Sequence, residues 1–145
     1  MTAERIEAIV RAEPAYATTA IAPGLPARAL ELLPGLVRHT CESGTGHGIV
    51  AELAETETAH LLEHVAAECM ALSGSPRTLR AETVWDFAAD GQFVYRVRLS
   101  YDIDVVALGA LREGLAIVDW LLGLTAERPD VDAIIARLRA VRGGA

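Results

Sequence analysis

The sequence predicts an α+β fold, a two-layer sandwich in which helices pack on one face of an antiparallel sheet. The chain has 145 residues, a size typical of one domain, and 52% of them are hydrophobic. Hydrophobic patterns follow one another as strands, helices, a hairpin and further helices, an order that favours this class. No internal repeat or linker interrupts the chain, so we expect residues 1–145 to form a single domain.

Short elements are expected in the first third of the chain. Arg5 to Val10 and Tyr16 to Ile21 are predicted to be two strands around Glu13-Pro14, because proline cannot donate to a sheet and marks a boundary. Pro26 can open a helix that runs to about Leu33. The glycine-rich segment from Cys41 to Gly48 is then predicted to be a loop or the wall of a site.

The remaining elements are predicted from clearer patterns. Apolar residues at helical spacing predict a long helix from about Ile49 to Leu72, which ends at Ser73-Gly74. Alternation on both sides of Asp90-Gly91 predicts a β-hairpin with one buried face. Two more helices follow, one from Val105 to Leu122 and one that Asp130 caps and that carries Val131 to Val141.

Composition excludes several classes of function. The net charge is −7 and every basic residue is an arginine, without the clustered positive face that a nucleic-acid-binding protein needs. No apolar run approaches the roughly 20 residues that span a bilayer. The amino terminus lacks a secretory signal, so we expect a cytoplasmic protein in which Cys41 and Cys69 are free thiols.

One short motif carries chemical information. His60-Leu61-Leu62-Glu63-His64 places two imidazoles on one face of a helix, about 6 Å apart, a good span for gripping one Zn²⁺. Glu63 flanks that face, where a carboxylate can act as the general base of a metal-assisted hydrolysis. This is the inverted form of the metallopeptidase motif. From the motif alone, a solvated helix face is an equal alternative.

A zinc site needs a third protein ligand. Glu68 lies two turns, roughly 12 Å, beyond His60, so we expect it to orient His64 from outside the metal's ligands, or else to be an exposed glutamate. Asp132 is the predicted third ligand, although its position also suits the first turn of a helix. The other acidic candidates are Asp104, Glu82, Glu127 and Asp130.

Further residues are candidates for the wall of the same pocket. His39, Cys41 and His47 lie near the glycine-rich loop and can line the pocket or, as an alternative, hold the metal. Glu82 is a pocket candidate that shares strand faces with arginines, and cross-strand ion pairs explain that arrangement without any function.

Several of these segments together resemble the amino-terminal domain of cyanophycin synthetases. The matching residues are Leu33-Pro-Gly-Leu36, His39-x-Cys41, His60-x-x-Glu-His-Val65 with Glu68, Ser73-Gly74 and Val94-Tyr95. Those synthetases polymerise an aspartate backbone with arginine side chains, using ATP-dependent domains that follow this one. In some members the amino-terminal domain resembles a metallopeptidase that trims the polymer, and in others it is a scaffold.

The sequence departs from the family pattern at places that concern substrate choice. Ala67-Glu68-Cys69-Met70 replaces the usual Leu-Glu-Leu-Gln, and Arg77 to Thr83 only loosely echoes the family's Gly-Arg-Thr-Arg-Glu-Thr run. The metal-binding part of the motif is intact.

We therefore expect a stand-alone, zinc-dependent hydrolase of an amide or isopeptide bond in an arginine/aspartate polymer or related peptide. His60 and His64 are the expected metal ligands and Glu63 the base. The expected partner is a peptide or polyamide substrate, without nucleic acid or membrane, and a homo-oligomer is left open. The alternative is a non-catalytic module that binds the polymer or a partner enzyme.

Overall fold

The computed structural model describes residues 4–39 and 48–144. Within these ranges the chain forms an antiparallel sheet of three strands and six α-helices, which confirms the α+β class. The elements in chain order are β1 (Arg5–Arg11), α1 (Leu25–Leu32), α2 (Gly48–Ala54), α3 (Thr58–Ser73), β2 (Ala81–Val84), α4 (Phe87–Asp90), β3 (Val94–Ser100), α5 (Asp104–Leu121) and α6 (Val131–Gly143).

The sheet has the order β1-β3-β2, so the most buried strand lies at its centre. Val97 of β3 pairs with Ala8 on one side and Thr83 on the other. Val97 and Leu99 point into the core, while Arg96 and Arg98 alternate with them and form ion pairs with Glu7 at 2.6 and 2.7 Å. The predicted hairpin is confirmed, with α4 as a helical turn between its strands.

Helix α3 lies at the centre of the core and contacts β2, β3, α5 and α6. Its Leu61, Val65 and Cys69 are completely buried. A Cβ atom on Gly114 of α5 would meet Leu62 and Val65 at 3.4 Å each, so the two helices cross with little room to spare. Helix α3 therefore packs closely against α5, and it also contacts the strands β2 and β3.

Two predicted elements are wrong. The segment from Tyr16 to Ile21 is not a strand, because 3₁₀ turns form at Pro14–Tyr16 and Thr19–Ile21. Its polar groups bond elsewhere: the Thr19 amide donates to the Thr56 carbonyl, and the Thr56 amide donates to Thr19 Oγ1. The same bonds break the predicted long helix into α2 and α3, so His60 lies near the start of α3 rather than in mid-helix.

The predicted helix ends agree with the structure. Gly74 adopts a left-handed conformation with φ of 118°, and the amides of Gly74 and Ser75 donate to carbonyls of the last turn of α3. The Asp130 side chain accepts a hydrogen bond from the Ala133 amide and caps α6. In the described part of the chain, no helix has the length and hydropathy needed to cross a membrane.

Candidate metal centre

The three residues of the motif converge at the amino-terminal half of α3. His60 Nε2 and His64 Nε2 are 3.0 Å apart. The two oxygens of Glu63 lie alongside, Oε1 at 4.0 Å from His60 Nε2 and Oε2 at 4.0 Å from His64 Nε2. One ligand atom from each residue lies within 4.8 Å of the other two, a spacing that can hold a metal ion.

The site is buried, which excludes the solvated helix face that the motif alone left open. Glu63 is 6% exposed and His64 is 4% exposed. Burial, together with the neighbouring imidazoles of His60 and His39, lowers the pKa of His64 to about 3. His64 is therefore neutral at physiological pH, the state in which an imidazole binds a metal.

A chain of hydrogen bonds behind His64 sets its orientation. His39 Nδ1 is 2.9 Å from His64 Nδ1, and His39 Nε2 is 2.9 Å from Glu68 Oε1. The ionised Glu68 can only accept, so His39 donates from Nε2, and in the neutral form of its imidazole Nδ1 is an acceptor. His64 then donates from Nδ1 and keeps Nε2 as an acceptor toward His60. This is the tautomer that a metal ligand requires.

His60 is likewise oriented by a hydrogen bond at Nδ1, which it forms with Thr56 in the break between α2 and α3. Thr56 Oγ1 is 2.8 Å from His60 Nδ1 and donates to Glu57 Oε2 at 3.3 Å. The hydroxyl oxygen is then free to accept from His60 Nδ1, which in a neutral imidazole leaves His60 Nε2 as an acceptor as well. Two such acceptors repel each other unless a cation or a shared proton lies between them.

Zinc fits this donor set. Two imidazole nitrogens bound tetrahedrally at about 2.1 Å are about 3.4 Å apart, and the observed separation of the two Nε2 atoms is 3.0 Å. Imidazole and carboxylate are both common zinc ligands, and each ring is held through its other nitrogen, as ligand histidines are.

Glu68 is the buried end of the chain of hydrogen bonds. It is completely buried, so the exposed-glutamate alternative is wrong. Burial alone would raise the pKa of this carboxylate, but hydrogen bonds from His39 and Arg77 outweigh it and hold the pKa at about 2. Arg77 donates to both oxygens, at 2.8 and 3.1 Å. Glu68 thus acts on His64 through His39, an intermediary that sequence reasoning did not assign.

Gly35, the glycine of the Leu33-Pro-Gly-Leu36 segment, lies directly against the side chain of Glu68. A Cβ atom at this position would lie 2.0 Å from Glu68 Oε2. The 3₁₀ turn Pro34–Arg38 packs its backbone directly on the buried carboxylate, and His39 follows that turn. Glycine is therefore needed here for close approach rather than for a special backbone conformation.

Glu63 is bound by a residue of the sheet. Thr83 Oγ1 of β2 donates to Glu63 Oε1 at 2.8 Å. Burial raises the pKa of Glu63 above its ordinary value, although the Thr83 hydrogen bond and the nearby imidazoles oppose the rise. Thr83 is not among the site residues predicted from the sequence. The alternation of strand β2, which places the Thr83 side chain on the inward face, is the signal that could have identified it.

Of the other predicted residues, Glu82 lines a cleft beside the group together with His60 and Glu63, whereas Asp132 lies away from the group. Asp132 is exposed in the first turn of α6 and is not among the three residues whose ligand atoms cluster. Glu82 forms ion pairs with Arg98 at 3.1 Å and Arg5 at 3.4 Å, as the cross-strand alternative predicted, and its side chain is 48% exposed. Cys41 and His47 lie outside the described residues.

Two adjoining clefts open beside the group. The larger, about 780 Å³, lies between the start of α3 and strand β2 and is lined by His60, Glu63 and Thr83 among others. The smaller, about 210 Å³, shares Glu63, His64 and Arg80 with the larger cleft and is also lined by Arg38 and Arg77. Both carboxylate and imidazole of the motif therefore face space that a substrate can enter.

The fold and the site together define a small α+β domain with a His-x-x-Glu-His group arranged to hold a metal. The sequence model of the Cyanophycin synthase-like N-terminal domain matches residues 7–123, which is most of the chain. The chain belongs to this family, and the resemblance predicted from its motifs is confirmed. A comparison with curated proteins finds no match.

Proposed function

We propose that the protein is a zinc-dependent hydrolase of an amide or isopeptide bond, acting on an arginine/aspartate polymer or a related peptide. One observation carries this proposal: the buried imidazole of His64 and the half-buried imidazole of His60 have their Nε2 atoms 3.0 Å apart, with the Glu63 carboxylate 4.0 Å from each. Family membership supports the polymer as the substrate to be tried first.

His60 and His64 would hold the metal through Nε2, and their Nδ1 atoms are hydrogen-bonded to Thr56 and His39 respectively. When bound, zinc supplies a Lewis acid that polarises a carbonyl and lowers the pKa of water. The remaining ligand positions are left to solvent, substrate or a further side chain.

Glu63 is assigned the role of general base. Its carboxylate can accept the proton of the attacking water and pass it to the amine that leaves when the C–N bond breaks. A carboxyl pKa raised by burial suits this task, because a base works best when its pKa is near the operating pH. Thr83 holds one oxygen of the carboxylate and leaves the other toward His64.

The edge of the sheet provides a place for an extended substrate. Strand β2 is an edge strand, and it lines the larger cleft along its whole length. Because the Ser100 amide donates to the Arg80 carbonyl, alternation along the strand directs the backbone groups of Ala81 and Thr83 away from β3. An extended polyamide that pairs with these groups would pass beside Glu63.

The Glu63→Gln variant tests the proposal. It keeps the size and shape of the side chain but removes the basic oxygen, so the variant should bind zinc as wild type does. Hydrolysis should fall by about 10² to 10⁴. Zinc content is measured by elemental analysis, and cleavage of the polymer and a peptide panel by the release of new amino groups.

A His60→Ala, His64→Ala double variant is the matched control and should lose both metal and activity. Equal rates for wild type and Glu63→Gln would rule out Glu63 as the base. Loss of zinc from Glu63→Gln would make Glu63 a ligand instead. If zinc-supplied wild type binds the polymer but cuts nothing, the non-catalytic binding module is the correct interpretation.

A further inference from the structure

The smaller cleft has a strongly positive lining. Three arginines border it, Arg38, Arg77 and Arg80, and the only acidic residue that lines it among the described residues is Glu63. The rest of its wall is mostly small or apolar. This is unexpected in a chain whose net charge is −7, and it makes the cleft a local site for an anion.

Two of these arginines, Arg38 and Arg80, have side chains that form no ion pair or hydrogen bond with the described residues. Within the described residues, the arginines that form neither an ion pair nor a side-chain hydrogen bond are Arg11, Arg38, Arg80 and Arg112. Two of the four therefore line this one cleft. Arg77 differs, because it is committed to Glu68.

The size of the cleft limits what it accepts. Pockets for drug-sized ligands have volumes of about 300 to 1,000 Å³, whereas this cleft measures about 210 Å³. A single short group fits such a space better than a whole ligand. Guanidinium groups bind carboxylates through paired hydrogen bonds, and apolar walls strengthen such contacts by excluding water.

We propose that the smaller cleft is a carboxylate-binding subsite in which Arg38 and Arg80 bind an anionic group of the substrate next to the bond that Glu63 faces. The position of the cut bond rests on the proposed hydrolase function, whereas carboxylate binding does not. The subsite makes the substrate a peptide or polyamide that presents a free carboxylate. The carboxylate belongs either to a side chain, for which aspartate serves as the probe, or to the free carboxyl end of the chain.

Binding measurements on zinc-supplied Glu63→Gln protein test the subsite without turnover. Four fluorescent tripeptides are compared, with aspartate or asparagine at the centre and with a free or an amidated carboxyl end. In at least one of the two contrasts, the peptide with the carboxylate should bind about tenfold more tightly than the matching amide peptide. The contrast that shows this difference identifies whether the carboxylate comes from the side chain or from the carboxyl end. The preference should weaken as salt is raised.

Arg38→Gln and Arg80→Gln, made in the same background, should each remove most of this preference. Both arginines are exposed, so the variants should fold, which circular dichroism checks. Arg112→Gln is the matched control, an exposed and unpaired arginine of α5 that does not line either cleft, and it should bind all four peptides unchanged.

Equal binding of the four peptides, or an undiminished preference in both arginine variants, would overturn the subsite. A carboxylate preference that depends on Arg38 and Arg80 supports it even if wild type cuts none of the peptides. In that case the hydrolase function fails and the subsite stands, so the two proposals are separately testable.

Discussion

Glu68 shows how one buried charge can organise a site that it does not touch. Burying a carboxylate away from water costs free energy unless its oxygens accept hydrogen bonds. Both oxygens of Glu68 accept hydrogen bonds from Arg77. His39 uses the same carboxylate to fix its own tautomer, and through it that of His64. The residue therefore matters both to folding and to the metal-binding form of His64.

Glu68→Gln should change how stability depends on pH. The pKa of Glu68 is about 2 in the folded protein, below its ordinary value of 4.5, so its ionised form is favoured by folding. Its contribution is full above about pH 4.5 and is lost as the pH falls through 4.5 toward 2. Urea unfolding with a chelator present should show wild type more stable at neutral pH, with the difference narrowing in that window.

Glu127→Gln is the control for this measurement, because Glu127 is exposed and forms no ion pair among the described residues. It should leave the pH profile unchanged. A stability difference between wild type and Glu68→Gln that stays constant from pH 7 to pH 2 would contradict the assignment of a depressed pKa.

At the scale of the elements, three separate segments build the site on one helix. The break before α3 supplies Thr56, the turn Pro34–Arg38 leads into His39, and β2 supplies Thr83. The turn and β2 both contact α3. The geometry of the motif is therefore determined by how these segments pack as much as by the helix itself.

Gly35→Ala tests this packing. The new methyl group would overlap Glu68 Oε2, so either the turn or the carboxylate must move. We expect a loss of about 1 to 3 kcal/mol in the free energy of unfolding, as in other overpacked sites. Zinc affinity should also fall, by about tenfold or more, because the orientation of His64 is disturbed. Thermal or urea unfolding and a zinc titration measure the two effects.

Gly143→Ala provides the matched control at the end of α6, where the added Cβ would meet no atom within 4 Å apart from its chain neighbours and the backbone of its own helix. Its stability should stay within about 0.5 kcal/mol of wild type. Wild-type stability and zinc affinity in Gly35→Ala would show that the turn does not support the site.

At the scale of the whole molecule, α3 links the core and the site. One side of the helix carries Leu61, Val65 and Cys69, which are completely buried, and another carries the motif. Burial also raises the pKa of the Cys69 thiol to about 12, with the charge of Glu68 adding to the effect. A thiol in this state reacts only when the core opens.

Alkylation should therefore report global unfolding. In a Cys41→Ser variant at pH 8, Cys69 should remain unlabelled in buffer and should take up one group in denaturing urea, as measured by mass spectrometry. The physical reason is that the thiol is 0% exposed and stays protonated in the fold. Rapid labelling of the native protein would mean that α3 separates from its neighbours far more easily than its packing indicates.

Local patterns in the sequence were enough to predict the α+β class, the hairpin, the end of α3 at Gly74 and the cap of α6 at Asp130. These features depend on residues that are close in the chain, where periodicity and capping chemistry act directly. The spacing of His60 and His64 belongs to the same kind of information, because a helix converts a separation of four residues into a shared face.

Contacts between distant residues could not be predicted in this way. Thr19 and Thr56 exchange hydrogen bonds and so break a helix that its own apolar pattern favours. Thr83 reaches Glu63 from strand β2, and Arg77 reaches Glu68 from the segment between α3 and β2. Asp132, the predicted third ligand, lies exposed on α6. Only the tertiary structure decides these cases, because they depend on which surfaces of separate elements pack together and not on neighbours along the chain.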